Sequence, residues 1–184
     1  MSLLLQLLLL ICVLGAVSGG SIVEPQTKHV FSDNDSGLSL AGVGVRVKQI
    51  GPIKAKVYAA GFYVDKNSVK SACSGSTCKT SCELASSSSF NNAVTDPKNK
   101  NIILKMARTV GAETMVAALA DSVKPAMGGK DTTKLKEFEG ILLKSLKDTG
   151  AKNGMVFKFK SSSGIVYIHA ITNHNSPLFT QKEK

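Results

Sequence analysis

The sequence predicts an α+β domain in which a pair of helices covers one face of an antiparallel sheet. Two pairs of strand-like segments are each joined by a short turn, and two helix-like segments lie between those pairs. Hairpins that flank two helices favour an arrangement in which the helices pack on one face of a sheet.

The first 18 residues predict an export signal. Residues 3–14 are apolar except for Gln6, and small residues follow up to Ser18. About twelve apolar residues are too few to cross a hydrocarbon core that is about 30 Å thick. We therefore expect residues 1–18 to be a cleaved signal peptide, with a membrane anchor as the alternative. Residues 19–184 would then be one domain that is secreted or held in the lumen of the secretory pathway.

The net charge of +10 comes almost entirely from lysine, since Arg46 and Arg108 are the only arginines. The lysines are dispersed from Lys28 to Lys184, and aromatic residues are few. This pattern is not typical of nucleic-acid-binding domains, and it is better explained by solubility and loose attraction to anionic surfaces. We predict neither a nucleic-acid partner nor stable insertion into a membrane.

Three cysteines, Cys73, Cys78 and Cys82, lie in a polar, serine-rich segment over residues 66–101 that we interpret as a variable surface insertion. Three thiols form at most one disulfide among themselves, and the secretory route permits one. A zinc site is the alternative, but structural zinc needs four ligands and no histidine lies nearby. The sequence therefore predicts one loop disulfide, and neither a metal nor a cofactor.

A short edge strand is predicted over residues 27–31, followed by turn-forming residues up to Gly37. Asn34, Asp35 and Ser36 form an N-glycosylation sequon in this turn. Asn34 is therefore a candidate glycosylation site.

Two longer strands are predicted over residues 38–47 and 55–65, because both segments alternate in the manner of half-buried strands. Gly51 and Pro52 lie between them and predict a hairpin. Residues 102–106 follow as a short apolar strand or the start of a helix.

The first predicted helix runs from Gly111 to Lys124, and the second from Asp131 to Thr149. Each has apolar residues at a spacing of three and four, which is typical of a helix that buries one face.

A closing hairpin is predicted from residues 155–159 and 165–171, with a serine-rich turn between them. The remaining residues, 172–184, are a polar tail without periodicity.

The first long strand carries the candidate binding residues. Alternation places Leu40, Gly42, Gly44 and Arg46 on one face. A glycine inside a strand marks a bulge or a close approach by another group. We interpret the two glycines as the floor of a pocket beside one fixed cation. The alternative is that a helix packs on the glycines and Arg46 pairs with a group of the core.

A hairpin centred near Pro52 places Tyr58 opposite Arg46 and on the same face as Phe62. A guanidinium and a phenol that converge beside small residues are suited to a carboxylate. A register slip of one residue would move one partner to the other face. The predicted ligand-binding residues are Arg46, Tyr58, Gly42, Gly44 and Phe62.

These two strands, LAGVGVRV and KVYAAGFYVD, resemble the central strands of the chalcone isomerase family. That family includes true isomerases, fatty-acid-binding relatives and inactive isomerase-like proteins. The resemblance covers residues 27–171. It implies an open-faced sandwich, in which an antiparallel sheet is covered on one face by helices and a ligand cleft lies between them. It also places Arg46 on the pocket arginine that catalytic and fatty-acid-binding members share.

The resemblance further implies a row of catalytic residues along one helix, at a spacing of three and then four. Thr114, Ala117 and Asp121 match that spacing here but not the family's residue types, and Tyr58 replaces a threonine. An isomerase must stabilise an enolate oxygen with aligned donors; Ala117 has none to offer, and an ionised Asp121 would repel the charge.

The sequence therefore favours non-catalytic binding of a fatty acid or another apolar carboxylate. One alternative is a chalcone–flavanone isomerase, an intramolecular lyase that acts on a flavonoid-like ligand. Its candidate catalytic residues are Arg46, Tyr58, Thr114 and Asp121. The other alternative is a secreted structural or interaction domain whose pocket is filled by side chains.

Overall fold

The computed structural model describes residues 20–67, 100–124, 132–162, 165–171 and 177–183, together with the single residues 70, 88 and 92. The predicted signal peptide and the three cysteines of the insertion lie outside these residues.

A seven-stranded antiparallel sheet is the main element of the described chain, and each of its strands pairs with the next one in sequence. The strands are β3 (Asn34–Asp35), β4 (Leu38–Ile50), β5 (Ile53–Val64), β6 (Lys100–Met106), β7 (Val156–Ser162), β8 (Ile165–Ile171) and β9 (Pro177–Glu183). A separate two-stranded sheet consists of β1 (Ser21–Val23) and β2 (Val30–Ser32), and the helices are α1 (Ala112–Val123) and α2 (Thr132–Leu146). The predicted α+β class is confirmed.

The β1–β2 hairpin replaces the edge strand predicted over residues 27–31. The strand begins only at Val30, because a turn held by Glu24 precedes it. The Glu24 carboxylate accepts the backbone N–H of Thr27 at 2.7 Å, and Lys28 has a φ of 64°. Such side chain–backbone bonds favour turns over strands.

Residues 177–183 form a strand that the polar tail does not predict. β9 pairs with β8 along most of its length, and this partner completes the backbone hydrogen bonds of the strand. Strand formation depends strongly on neighbouring strands, so a polar edge strand leaves little trace in composition.

The β4–β5 ladder contains an extra residue that decides what faces Arg46. The tight turn pairs Ile50 with Ile53, and a regular ladder would continue this register to place Arg46 opposite Val57. A bulge at Val57 shifts the register, so Arg46 lies opposite Tyr58. The predicted pairing of Arg46 with Tyr58 is confirmed.

A second bulge lies at Ala41, near the other end of the ladder. Beyond it Leu40 pairs with Tyr63, whereas Gly42 pairs with Phe62. Directly paired residues point to the same face, and neighbours in a strand point to opposite faces. Leu40 therefore does not share a face with Gly42, and the simple alternation predicted for this strand is wrong at that position.

The hydrophobic core lies between the sheet and the two helices. Each helix buries residues at a spacing of three and four, as the sequence predicts. These are Ala112, Met115, Val116, Leu119 and Ala120 from α1, and Leu135, Leu142 and Leu146 from α2. The sheet contributes Val57, Tyr58, Leu104, Met106, Phe157, Ile168 and Ala170.

The opposite face of the sheet is partly covered by the β1–β2 hairpin. Phe31 is fully buried against Gly61, where a Cβ atom would lie 2.5 Å from the Cδ1 atom of Phe31. The Tyr63 hydroxyl donates to the backbone carbonyl of Ser32 at 3.0 Å. Lys105 places its ammonium group 5.0 Å from the centre of the Phe31 ring. Gly61 is required here because its missing side chain makes room for that ring.

A polar cluster lies on this same face, beside the β3–β4 turn. Lys158 contacts the two carboxylate oxygens of Asp35 at 2.8 and 2.7 Å. The buried side chain of Asn101 donates to the same carboxylate. Asn34 is exposed at the start of this turn, so the sequon side chain is accessible.

Candidate functional site

Arg46 and Tyr58 project together from the face of the sheet that the helices cover. Tyr58 is buried and belongs to the core, whereas Arg46 is half-buried. Burial raises the pKa of Tyr58, although the charge of Arg46 and its hydrogen bond to the phenol act in the opposite direction. Tyr58 is therefore a neutral phenol beside a permanent cation at neutral pH.

Helix α1 holds the guanidinium from above. The Nη1 atom of Arg46 donates to the Ser122 hydroxyl at 2.8 Å, and this hydroxyl donates to the carbonyl of Ala118 at 2.8 Å. The hydroxyl thus accepts from Arg46 while it is anchored to its own helix. Because Ala118 has a short side chain, the helix leaves space beside the guanidinium.

A pocket of about 190 Å³ opens next to Arg46, between the β4–β5 hairpin and the start of α1. It has a polar side with three cations and two hydroxyls, and an apolar side. The residues of the polar side are Arg46, Lys48, Arg108, Thr109 and Thr114. The apolar side is formed by Val57, Val110, Gly111, Met115 and Ala118.

The electrostatics of this pocket favour an anion. Arg46 and Arg108 both line it, and they are the only arginines of the chain. Among the described residues, no acidic side chain lines it and neither arginine forms an ion pair. Gly111 is the N-cap of α1 and also lines the pocket. The positive end of the helix dipole therefore lies at the pocket as well.

The two predicted glycines lie on the same face of the sheet as Arg46, but they do not line the pocket. Gly42 pairs with Phe62 and Gly44 with Ala60, so these residues share the face of Arg46 and Tyr58. Both glycines are half-buried, and Phe62 is buried. None of them lines the pocket described above, which lies on the Lys48 side of the guanidinium.

The residues proposed from the family's helix share one exposed face of α1, and only the first of them reaches the pocket. Thr114 lines the pocket, whereas Ala117 and Asp121 are exposed and do not line it. Met115, Ala118 and Ser122 have the same spacing of three and four, one position further along. Met115 and Ala118 line the pocket, and Ser122 bonds to Arg46.

Sequence reasoning missed four polar residues of this site, Lys48, Arg108, Thr109 and Ser122. Ser122 lies in the three–four pattern of the helix, and the signal that could have identified it is that it is the one polar residue in that pattern. Arg108 lies two residues beyond the end of β6, and its only signal is that arginine is so rare in this chain. Thr109 follows it and has no signal of its own. Lys48 lies two residues beyond Arg46 in β4, and nothing in the sequence distinguishes it from the other dispersed lysines.

The described residues contain no group of three His, Cys, Asp or Glu side chains placed to hold a metal ion. Among the same residues, no helix has the length and apolar character needed to span a bilayer. The polar groups that line the pocket are cations and hydroxyl groups, whereas the buried phenol of Tyr58 lies opposite Arg46 without lining the pocket.

The antiparallel sheet with two helices on one face has the chalcone isomerase-like fold. The crystal structure of the fatty-acid binding protein AtFAP1 from Arabidopsis thaliana is similar, with a TM-score of 0.67 and 19% sequence identity. The similarity covers 89% of this chain and 82% of that one. No protein-family model and no curated protein matches the chain in sequence.

Proposed function

We propose that the protein binds a fatty acid or another apolar carboxylate without transforming it, and that Arg46 and Tyr58 hold the carboxylate. The observation that carries this proposal is the pairing of these two residues across the β4–β5 ladder, with Arg46 lining an open pocket. The similarity to a fatty-acid binding protein in fold supports it.

The guanidinium of Arg46 has donors to spare. Arginine offers several N–H groups in one plane, and Ser122 takes one of them through Nη1. Hydrogen bonds between charged groups contribute about 1.5–3 kcal/mol when they are shielded from water. Because Arg46 is half-buried, a carboxylate on its remaining donors would be partly shielded.

The alkyl chain of a long ligand needs more room than the pocket gives. Small-molecule sites commonly enclose about 300–1,000 Å³, compared with about 190 Å³ here. The route we propose runs along the glycine face, over Gly44 and Gly42 and towards Phe62. These positions share the face of Arg46, and the glycines offer no side chain to obstruct a chain lying on them.

The positions on α1 argue against catalysis. An isomerase of this fold must place several donors around a developing enolate oxygen, and the loss of one such donor costs about 10²–10³ in rate. The helix face turned to Arg46 carries Met115, Ala118 and Ser122, of which only Ser122 has a polar side chain. Asp121 is exposed and does not line the pocket.

Binding of octanoate and dodecanoate to the purified protein, measured by calorimetry, tests the proposal. We expect Arg46→Ala to weaken both by about tenfold or more, since one charge-assisted bond corresponds to a factor of this size. Lys54→Ala is the matched control, because Lys54 is an exposed cation on the same hairpin that does not line the pocket. Equal affinities of wild type and Arg46→Ala would remove the carboxylate site.

The non-catalytic part of the proposal needs a separate assay. A chalcone incubated with the protein should lose absorbance no faster than in buffer alone. Turnover above the buffer rate that disappears in Arg46→Ala would instead establish an isomerase.

We also infer that the protein acts outside the cytosol, because residues 1–18 have the composition of a cleaved leader. Mass spectrometry of the N-terminus of the exported protein tests this, and a chain that retains Met1 and stays in the cytosol would contradict it.

A further inference from the structure

The pocket has two cations that a single carboxylate on Arg46 does not use. Lys48 and Arg108 are exposed at its rim. Within the described part of the chain, neither forms an ion pair and no carboxylate lines the pocket to neutralise them. Three positive charges around one small cavity repel one another, and a monoanion would compensate only one of them.

We propose that the pocket selects an amphiphile whose head group carries two negative charges, and that this head group is a phosphate monoester. The inference rests on the proposed function, because Arg46 and the same cavity receive the head. It goes beyond the proposed function because it assigns Lys48 and Arg108 to the second negative charge of the head group.

The neutral groups of the pocket also fit a phosphate. The Thr109 hydroxyl accepts the backbone N–H of Asn153 at 3.2 Å, which leaves its own hydrogen free to donate. Thr114 adds a second exposed hydroxyl from the first turn of α1. A phosphate monoester offers three strong acceptor oxygens in a tetrahedral array, whereas a carboxylate offers two in a plane.

The acidic residue of the first turn of α1 does not occupy the site. Glu113 lies in the first turn of α1, but it is exposed and does not line the pocket. The volume of about 190 Å³ suits a head group rather than a whole amphiphile. The pocket thus combines the size of a head group with an excess of positive charge.

Octyl phosphate and octyl sulfate provide the sharpest comparison. Both have the same chain and a tetrahedral head, but at pH 8 the phosphate carries nearly two charges and the sulfate one, because the second phosphate pKa is about 6. We expect calorimetry to show that octyl phosphate binds about tenfold more tightly, which corresponds to one additional charge-assisted contact.

The rim variants Arg108→Gln and Lys48→Gln should weaken octyl phosphate more than octyl sulfate and so remove this preference. Lys54→Gln is the control for the loss of one charge on the same hairpin, and it should keep the preference. All these positions are exposed, so the variants should retain the fold, which circular dichroism verifies.

Equal binding of octyl phosphate and octyl sulfate by the wild type would overturn the inference, as would a preference that survives in both rim variants. If octanoate still bound through Arg46 in that case, the proposed function would stand alone. If octanoate failed to bind and octyl phosphate kept its advantage, the dianionic head would stand and the carboxylate would not. If none of the three amphiphiles bound, both proposals would be wrong.

Discussion

Arg46 lies directly opposite Tyr58 because β5 contains one residue more than β4 requires. The extra residue, Val57, shifts the register by one position. In an uninterrupted ladder the phenol would point to the opposite face of the sheet, away from the guanidinium. The bulge is therefore the local feature that brings a cation and a neutral phenol together beside the pocket.

Ser122 is expected to position Arg46. Its hydroxyl accepts from Nη1 at 2.8 Å and is anchored to Ala118. We predict that Ser122→Ala weakens octanoate binding about three- to tenfold, less than Arg46→Ala, because the guanidinium keeps its charge but loses its orientation. Ser122→Thr keeps the hydroxyl and should recover most of the affinity. Calorimetric titration checks this, and unchanged affinity in Ser122→Ala would exclude a positioning role.

Gly61 and Gly140 should respond to alanine with opposite signs. A Cβ at Gly61 would overlap the buried ring of Phe31, and overpacking of this kind costs about 1–3 kcal/mol in the free energy of unfolding. Gly140 is exposed in α2 with open space around it, so alanine there should stabilise the helix by about 1 kcal/mol. Urea unfolding measures both. A Gly61→Ala variant as stable as wild type would show that Phe31 does not pack there.

Lys158 should matter for stability more than its neighbour on the same strand. Lys158 contacts Asp35 at 2.7 Å, and that carboxylate also binds the buried Asn101. Removing the cation in Lys158→Ala should cost about 1–2 kcal/mol, because the half-buried Asp35 carboxylate loses its cationic partner. Lys160→Ala on the same face is the control and should change stability by less than about 0.5 kcal/mol. Equal effects would refute the cluster's role.

Ionisation of Tyr63 should lower the free energy of unfolding in alkali. Burial, followed by the charges of Asp35 and Asp33, raises the pKa of Tyr63 to about 12. Since an unfolded tyrosine ionises near pH 10, its contribution is fully present below pH 10 and is lost as the pH rises towards 12. With allowance for screening by water, we expect a loss on the order of 1–2 kcal/mol between these values.

The variant Tyr63→Phe isolates this effect. At pH 8 it should be about 1 kcal/mol less stable than wild type, because the Ser32 carbonyl loses its donor. Near pH 12 the deficit should vanish or reverse, since phenylalanine cannot ionise. Urea unfolding at the two pH values provides the test, and a deficit that stays constant would contradict the raised pKa.

Much of the fold follows from the sequence because it depends on short-range patterns. Alternation predicts the long strands, and the spacing of three and four predicts both helices and their buried faces. The pairing of Arg46 with Tyr58 was predicted from a centre of symmetry near Pro52, and the bulge at Val57 is the reason that this centre is correct.

The site was less predictable because its members come from distant parts of the chain. Arg108 precedes α1, Lys48 lies near the tip of a hairpin, and Ser122 lies in the last turn of α1. No spacing in the sequence relates them. The face of α1 that meets Arg46 was not predictable for a similar reason. Two sets of positions that differ by one residue both have the spacing of three and four, so spacing does not distinguish them.

By itself, the sequence determined the α+β class, the order of the long strands and the two helices, and the presence of a glycine-rich strand that carries an arginine. These depend on contacts between near neighbours in the chain. Only the tertiary structure decided that β9 is a strand, that Phe31 packs on Gly61, and that three cations surround one pocket. Such features arise from register and from the packing of one layer on another, and neither is encoded within a single segment.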